Sequence, residues 1–297
     1  MHMTKSRGLV EGSALFQNLN VGAIGVKASF EEACSLAQKY GFRGVDIGPG
    51  DVERLGVTRV LELLDQHGLK VGGYGFSGKW LGSEEDWKES LQNAPRLLEL
   101  GRRVGASRVT TYLMAASDER TYLENFAFHV KRLKPVAQVL EDYGFRFGLE
   151  FLGPQMFRRG KRYSFLFDVD TCLELCAAIN ERSCGLLFDV WHWYTSEGTL
   201  EQVKKLSDRQ VVYIHVNDAP ANIPVADQVD SVRCLPGETG VIDIVPVLQT
   251  LAENGCQAPV TVEPFNAWLR SLAPDDAVKA TAEALNKVWN EAGLGKE

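Results

Sequence analysis

The stretch Leu186-Leu187-Phe188-Asp189-Val190-Trp191-His192 is an apolar run that a carboxylate and an imidazole interrupt near its end. Three other runs have the same form, with one acidic or imidazole side chain near the end: 147–151 with Glu150, 212–218 with His215 and 260–265 with Glu263. Short apolar runs bounded by polar residues are typical of buried parallel strands. The four runs therefore predict four buried strands, each ending in a polar side chain.

Outward from these runs, short apolar segments alternate with longer amphipathic segments along nearly the whole chain. Such alternation is typical of βα units and a parallel sheet. Eight strand-like runs can be counted, at 21–26, 44–47, 70–76, 108–114, 146–152, 185–191, 211–216 and 259–262. Eight strands separated by helices favour a closed (β/α)8 TIM barrel over an open sheet with exposed edges. No GxGxxG follows the first run, so a dinucleotide-binding half is not supported.

Local signals predict where helices start and stop. Ser29 is a candidate N-cap, and Glu31 and Glu32 would follow it in the first helical turn, where the helix dipole favours negative charge. The run Gly48-Pro49-Gly50 is expected to end the second strand and to continue neither kind of element. Pro135 is expected to bend or interrupt a long helix over 119–143.

Length and composition predict one TIM-barrel domain over 1–297, with 1–18 as an N-terminal extension, because α/β barrels of about 250 residues or more fold as one unit. The formal net charge of −7 disfavours nucleic acid and anionic membranes as partners. The sequence contains no apolar run of about 18 residues, so it predicts no membrane-spanning helix. Six cysteines without CxxC spacing, and no recognisable secretory leader, lead us to expect a cytoplasmic protein.

The four strand-end side chains Glu150, Asp189, His215 and Glu263 predict a site for one divalent metal ion. Each alone is equally compatible with an ion pair or a cap. Burying all four at neighbouring strand ends is costly unless a cation supplies positive charge between them. Three carboxylates and an imidazole suit a hard or borderline ion, with Mn²⁺ expected and Mg²⁺, Co²⁺ or Zn²⁺ also compatible.

The order Glu, Asp, His, Glu on strands five to eight resembles the xylose-isomerase-like TIM barrel superfamily. The most specific pieces are 188–192, 214–218, 233–240 and 262–265, and the resemblance covers about 21–289. It implies a metal-dependent isomerase or epimerase of a ketose or sugar phosphate. Glu150 and Glu263 match the family's two catalytic glutamates, which move a proton through a metal-stabilised enediolate. The resemblance also implies a possible homo-oligomer.

The same resemblance implies that His192 and Arg233 contact substrate oxygens. Asp218 would either orient His215 or shape its own loop. The basic segment 158–162 would either neutralise a substrate phosphate or carboxylate, or be a solvated loop. Strand-end aromatic rings can wall a sugar pocket, and the two candidates that we single out are Trp80 and Tyr112.

Three other functions compete with isomerisation. A lyase would use the same metal and bases to expel a β-substituent from an inosose, a keto-sugar or a 3-keto-glycoside. An apurinic endonuclease, found in the same superfamily, has a three-metal site that needs additional histidines on early strands. The chain has five histidines, and His67 and His129 fall in predicted helices. A non-catalytic sugar-binding barrel is the third alternative, and the intact four-residue set disfavours it.

Overall fold

The computed structural model describes residues 15–180 and 182–295, and it confirms the (β/α)8 barrel. Ten strands are described: β1 (Phe16–Leu19), β2 (Gly44–Ile47), β3 (Lys70–Tyr74), β4 (Arg108–Leu113), β5 (Ala116–Ser117), β6 (Arg146–Phe151), β7 (Tyr163–Ser164), β8 (Cys184–Asp189), β9 (Val211–Val216) and β10 (Pro259–Val262). Eight of them form one curled sheet in the order β3-β2-β1-β10-β9-β8-β6-β4, and every pairing in it is parallel. The short strands β5 and β7 pair antiparallel outside this sheet.

Helices connect the barrel strands and cover the outside of the sheet. The described α-helices are α1 (Phe30–Lys39), α2 (Pro49–Leu55), α3 (Val57–His67), α4 (Glu84–Arg103), α5 (Tyr122–Asp142), α6 (Val169–Asn180), α7 (Val190–Thr195), α8 (Leu200–Lys204), α9 (Ile244–Glu253), α10 (Ala267–Ser271) and α11 (Pro274–Glu291). Their buried faces pack apolar side chains against the sheet, which yields one continuous core. In the described part of the chain, no helix is both long enough and apolar enough to cross a membrane.

The first strand lies earlier than predicted. The run 21–26 forms a turn in which the Val26 amide donates to the Val21 carbonyl, and Gly25 takes a φ of +77°. Glycine adopts this conformation at little cost, so the apolar pattern of the run misled the prediction. Residues 16–18 therefore belong to the barrel and not to an extension, whereas 1–14 lie outside the described residues.

Other local predictions fared differently. The helix start at Ser29 is confirmed, with a reciprocal capping box to Glu32. The run Gly48-Pro49-Gly50 ends β2 after Ile47, as predicted. The expectation that it also stays outside a helix was wrong, because Pro49 opens α2, a position where the missing amide hydrogen costs nothing. Pro135 lies inside α5, which continues without interruption to Asp142.

A polar network fills part of the barrel interior. Asp46 accepts four hydrogen bonds, from Asn18 Nδ2 (2.8 Å), the Gly73 amide (2.6 Å), Asn20 Nδ2 (2.9 Å) and the Tyr213 hydroxyl (2.8 Å). Asn18 Nδ2 also lies 2.9 Å from Thr261 Oγ1. A carboxylate has about four lone-pair positions, so hydrogen bonds within the protein occupy the full acceptor capacity of Asp46.

Gly72 leaves the space that the buried Asn18 amide occupies, since a Cβ at this position would overlap that amide. We predict that Gly72→Ala lowers the free energy of unfolding by about 1–3 kcal/mol, because overpacking displaces a side chain held by several hydrogen bonds. Gly50→Ala is the matched control, since no atom lies within 4 Å of its Cβ position in α2. Urea unfolding followed by circular dichroism measures both. Equal stability of Gly72→Ala and the wild-type protein would contradict the argument.

Candidate metal and proton-transfer site

The four predicted strand-end residues meet at one end of the barrel. Glu150 and His215 are the penultimate residues of β6 and β9, Asp189 ends β8, and Glu263 directly follows β10. Asp189 and His215 are partners in the sheet register. One donor atom from each of the four residues lies within 4.8 Å of the other three.

His215 lies between the carboxylates. Its Nδ1 is 3.2 Å from Glu263 Oε2, 3.4 Å from Glu150 Oε1 and 3.8 Å from Asp189 Oδ2. Within the described part of the chain, the buried atoms Glu150 Oε1 and His215 Nδ1 have no hydrogen-bond partner. Such atoms are costly unless something else satisfies them. A divalent cation accepts three carboxylates and one imidazole as ligands, and it would satisfy the two unpartnered atoms of Glu150 and His215.

The electrostatics of the cluster point the same way. The pKa of Glu150 is raised to about 7, mainly by burial and also by the negative charges of Glu263 and Asp189, while His215 acts in the opposite direction. Burial would lower the pKa of His215, but the nearby negative charges of Glu263 and Glu150 raise it well above its ordinary value. The protein alone therefore holds protons here that a bound cation would displace.

Arg233 is fully buried beside this cluster. Its Nη1 lies 2.8 Å from Asp189 Oδ2 and donates to the Glu263 carbonyl oxygen at 3.2 Å, and its Nη2 donates to Asp230 Oδ1 at 2.7 Å. The rings of Trp191 and Phe265 lie on the guanidinium with centroids at 4.6 and 4.7 Å. These contacts hold the guanidinium in one place next to a predicted metal ligand.

Backbone strain accompanies this arrangement. Phe265 has a φ of +41°, which is uncommon for a residue with a bulky side chain. Such a residue persists only where its surroundings enforce it, and it costs about 1–3 kcal/mol. The strained residue directly follows Glu263-Pro264 and brings its ring to Arg233.

His192 has a defined protonation pattern. Its Nε2 lies 3.2 Å from Arg233 Nη2, and because arginine can only donate, Nε2 accepts. The pKa of His192 is lowered to about 4, mainly by burial and also by the Arg233 charge, while the Asp189 charge opposes this, so the ring is neutral near neutral pH. Its single proton is therefore on Nδ1, which has no hydrogen-bond partner among the described residues and is free to donate to a ligand.

Asp218 shapes its loop. Its Oδ1 accepts from the amides of Ala219 (2.8 Å) and Ile242 (2.9 Å), and its Oδ2 accepts from those of Thr239 (3.0 Å) and Gly240 (2.7 Å). Of the two roles left open by the sequence, the structure favours the loop role. The residue that supports the four-residue cluster is instead Asn217, whose Oδ1 accepts from the Glu263 amide at 2.8 Å.

The two predicted aromatic residues, Trp80 and Tyr112, are not members of the four-residue cluster. Trp80 is buried, and its indole nitrogen donates to Thr111 Oγ1 at 3.0 Å. Trp80 and Tyr112 line one cavity of about 370 Å³, and Tyr112 is the register partner of Glu150. A role for either ring in substrate binding stays a prediction.

The basic segment 158–162 is largely occupied by contacts within the protein. Arg158 donates to the Gly153 carbonyl oxygen at 2.7 Å, and Lys161 pairs with Asp118 at 2.6 Å. Arg159 pairs with Asp227 at 3.2 Å, which joins the loop after β6 to the loop after β9. Asp230 extends this junction, since its amide donates to Met156 Sδ at 3.3 Å.

Three residues that contact the candidate site escaped the sequence analysis: Asp230, Phe265 and Asn217. Asn217 could have been found, because it lies two residues after His215 and so on the same face of the strand. Asp230 and Phe265 reach Arg233 through loop geometry that carries no periodic signal.

The raised pKa values of Glu150 and His215 predict pH-dependent metal affinity. Binding must displace their protons, so we expect the Kd for Mn²⁺ or Zn²⁺ to fall as the pH rises from about 6 to about 8. Calorimetric titration in two buffers of different ionisation enthalpy counts the released protons. Glu150→Gln should weaken binding and release fewer protons, whereas Glu253→Gln, an exposed control, should change neither. A pH-independent Kd would refute this account.

Comparison with known proteins finds relatives that are named as an inosose isomerase and an inosose dehydratase. The chain is 23% identical to an inosose isomerase of Bacillus licheniformis over 206 residues, which cover 69% of this chain and 70% of that protein. It is 23% identical to an inosose dehydratase of the same organism over 263 residues, which cover 84% and 85%.

Two solved structures have the same fold. A xylose isomerase domain protein from Alicyclobacillus acidocaldarius aligns with a TM-score of 0.84 at 27% identity, over 94% of this chain and 99% of that one. The IOLI protein, solved with a bound zinc atom, aligns with a TM-score of 0.74 at 19% identity, over 93% and 98%. The family described as xylose isomerase-like TIM barrel matches residues 34–288. The chain therefore belongs to the xylose isomerase-like TIM barrel family.

Proposed function

We propose that this protein is a divalent-metal-dependent isomerase or epimerase that moves a proton on a carbon next to the carbonyl of a small polyhydroxylated substrate. One observation carries the proposal. Glu150 and Glu263 reach the same imidazole nitrogen from different strands, at 3.4 and 3.2 Å. Two carboxylates that flank one bound cation from different strands are suited to remove a proton and return it.

The proposed metal ligands are Glu150, Asp189, His215 and Glu263. A bound divalent cation would supply Lewis-acid polarisation of the substrate carbonyl. Mn²⁺ is our first choice among the divalent ions that three carboxylates and one imidazole accept. The similarity to a protein solved with zinc supports a divalent ion in general.

The chain's own residues would handle the proton and orient the substrate. Glu150, with a pKa of about 7 in the protein alone, lies in the range that suits a general base and acid at neutral pH. Glu263 would serve the opposite face of the same carbon. His192 would donate its Nδ1 hydrogen to a substrate oxygen, and Arg233, held between two rings, would stabilise negative charge beside it.

An unphosphorylated substrate fits the structure best. The basic segment after β6 uses Arg158, Arg159 and Lys161 for contacts within the protein, so it offers little to a phosphate. The loops after β6 and β9 meet through Arg159 and Met156, and they would restrict water at the mouth of the site. We propose a ketose or a cyclic polyhydroxy ketone as substrate.

A lyase is the second candidate. The alignment with an inosose dehydratase spans 84% of this chain, more than the 69% aligned with the inosose isomerase. A lyase would use the same base to remove the α-proton and a neighbouring acid to help a β-hydroxyl or β-alkoxyl leave.

Turnover in D₂O with added Mn²⁺ tests both candidates. Isomerisation or epimerisation incorporates deuterium into a product of unchanged formula, whereas a lyase yields an unsaturated product that has lost water or an alcohol. We expect Glu150→Gln and Glu263→Gln each to lower kcat by about 10²–10⁴-fold while the fold is retained, because each removes a proton-transfer group. Proton NMR of ketose, inosose and 3-keto-glycoside panels provides the measurement.

Glu253→Gln serves as the control for the loss of one carboxylate, since Glu253 is exposed at the end of α9. Wild-type rates in either active-site variant would exclude the two-carboxylate scheme. Stoichiometric sugar binding without deuterium exchange in any substrate would favour a non-catalytic binding protein.

A further inference from the structure

The end of the barrel opposite the candidate metal site carries a cluster of basic residues, which we call the cationic floor: Arg43, Lys70, Arg108 and Arg146. Three of them are the first residues of β3, β4 and β6, and the fourth directly precedes β2. These strands are neighbours around the barrel, since β2 pairs with β3, β4 pairs with β6, and β3 lies against β4. Four cations therefore gather at one face of a chain with a net charge of −7.

Three of these side chains point to the barrel interior. Side chains two residues apart on a strand share a face. Register partners on parallel strands also share a face, and Lys70 is the register partner of Gly44, where a Cβ would meet Phe16 and Asn18 inside the barrel. A Cβ at Gly148 would meet Thr110 and Val212. Arg146 and Arg108 lie two positions before Gly148 and Thr110 on the same strands and share their face. Arg108 and Arg146 are also direct partners in the sheet register.

Like charges placed directly opposite on neighbouring strands destabilise a sheet unless something compensates them. Among the described residues, a single carboxylate forms an ion pair with the floor. Asp208 Oδ2 lies 3.5 Å from Arg146 Nη1, while its Oδ1 accepts from the Gln257 amide at 2.7 Å. The positive charge of the floor therefore exceeds the negative charge paired with it.

The remaining contacts leave donor groups unused. The Lys70 ammonium lies 3.5 Å from the centroid of the Phe16 ring, a contact that contributes no hydrogen-bond acceptor oxygen. Arg108 Nε is buried and has no hydrogen-bond partner within the described ranges. Burial lowers the pKa of Lys70, and the charges of Arg108 and Arg43 lower it further. Burial and the Arg146 charge lower the pKa of Arg108 in the same way.

Backbone carbonyl oxygens accept hydrogen bonds from the guanidinium groups of Arg108 and Arg146. Arg108 Nη2 donates to the Gln257 carbonyl oxygen at 2.7 Å, and Arg146 Nη2 lies 3.0 and 3.1 Å from the carbonyl oxygens of Arg209 and Val211. These contacts hold the charges in place without neutralising them. A ligand that binds here would find positioned cations and would need to order few side chains.

We propose that the cationic floor binds a small multivalent oxyanion, and that phosphate represents its chemistry. Several oxygens on one centre match a lysine ammonium and two guanidinium groups that stand at the starts of neighbouring strands. The site is distinct from the metal site. Arg146 and Glu150 lie four residues apart on β6, which separates their Cα atoms by about 13 Å at the rise of a β-strand.

Calorimetric titration of inorganic phosphate into the metal-free full chain, at constant ionic strength set with chloride, tests the proposal. We expect one site, and an affinity at least about tenfold weaker in both Lys70→Gln and Arg108→Gln, because each loses a charged donor. Lys131→Gln removes an exposed lysine of α5 and should bind phosphate like the wild type. Glu150→Gln should also bind it normally, since the metal end is not involved.

Glycerol 3-phosphate in the same titration separates free from esterified phosphate as the preferred form. Tighter binding of the ester, with the same variant pattern, identifies a phosphorylated metabolite, and tighter binding of phosphate identifies the free ion. If Arg108→Gln unfolds, Lys70→Gln decides alone, because the described contacts of Lys70 include no side-chain hydrogen bond. Absence of phosphate binding, or an unchanged affinity in Lys70→Gln, would overturn the proposal.

Discussion

The structure around the candidate site depends on one constraint: several negative charges are buried together at the ends of neighbouring strands. Glu150, Asp189 and Glu263 surround His215, and their mutual repulsion has to be offset within a few ångströms. Within the protein alone, Arg233 and a proton-holding His215 supply part of the positive charge. The strained backbone at Phe265 fits this constraint, because the displaced ring helps to hold Arg233 in place. Strain is tolerated here because the surrounding contacts determine the conformation.

The sequence predicts the fold well where burial and periodicity agree. Strands at 44–47, 211–216 and 259–262 match the structure residue for residue. It predicts less well where a glycine reverses the chain, as in the turn at 21–26, because apolar composition alone does not reveal a positive φ. Strand β8 ends at Asp189, earlier than the predicted run 185–191, and the cause is again local backbone geometry. Asp189 accepts from the amides of Trp191 and His192, so it starts a helix where the apolar run suggested more strand.

The candidate site also contains some residues that the sequence predicts and others that it does not. Its four strand-end residues could be predicted together because parallel strands bring their carboxyl ends to one face. The contacts of Arg233 with Asp230 and Phe265 could not, since they arise from two loops whose paths no pattern encodes. The basic segment 158–162 shows the converse case: its charges are prominent in the sequence, which left its role open, and contacts with Gly153, Asp118 and Asp227 occupy them.

The distribution of the four residues around the barrel has an evolutionary consequence. All of them lie on the contiguous arc β6-β8-β9-β10, and the arc from β1 to β4 contributes none. Loops on that second arc can lengthen, shorten or change composition without disturbing the charged cluster. A lineage built on this plan can therefore diversify what it accepts while its reactive groups stay constant. Family members that share little more than a fifth of their residues, and that carry names of isomerases and dehydratases alike, are an expected outcome of that division.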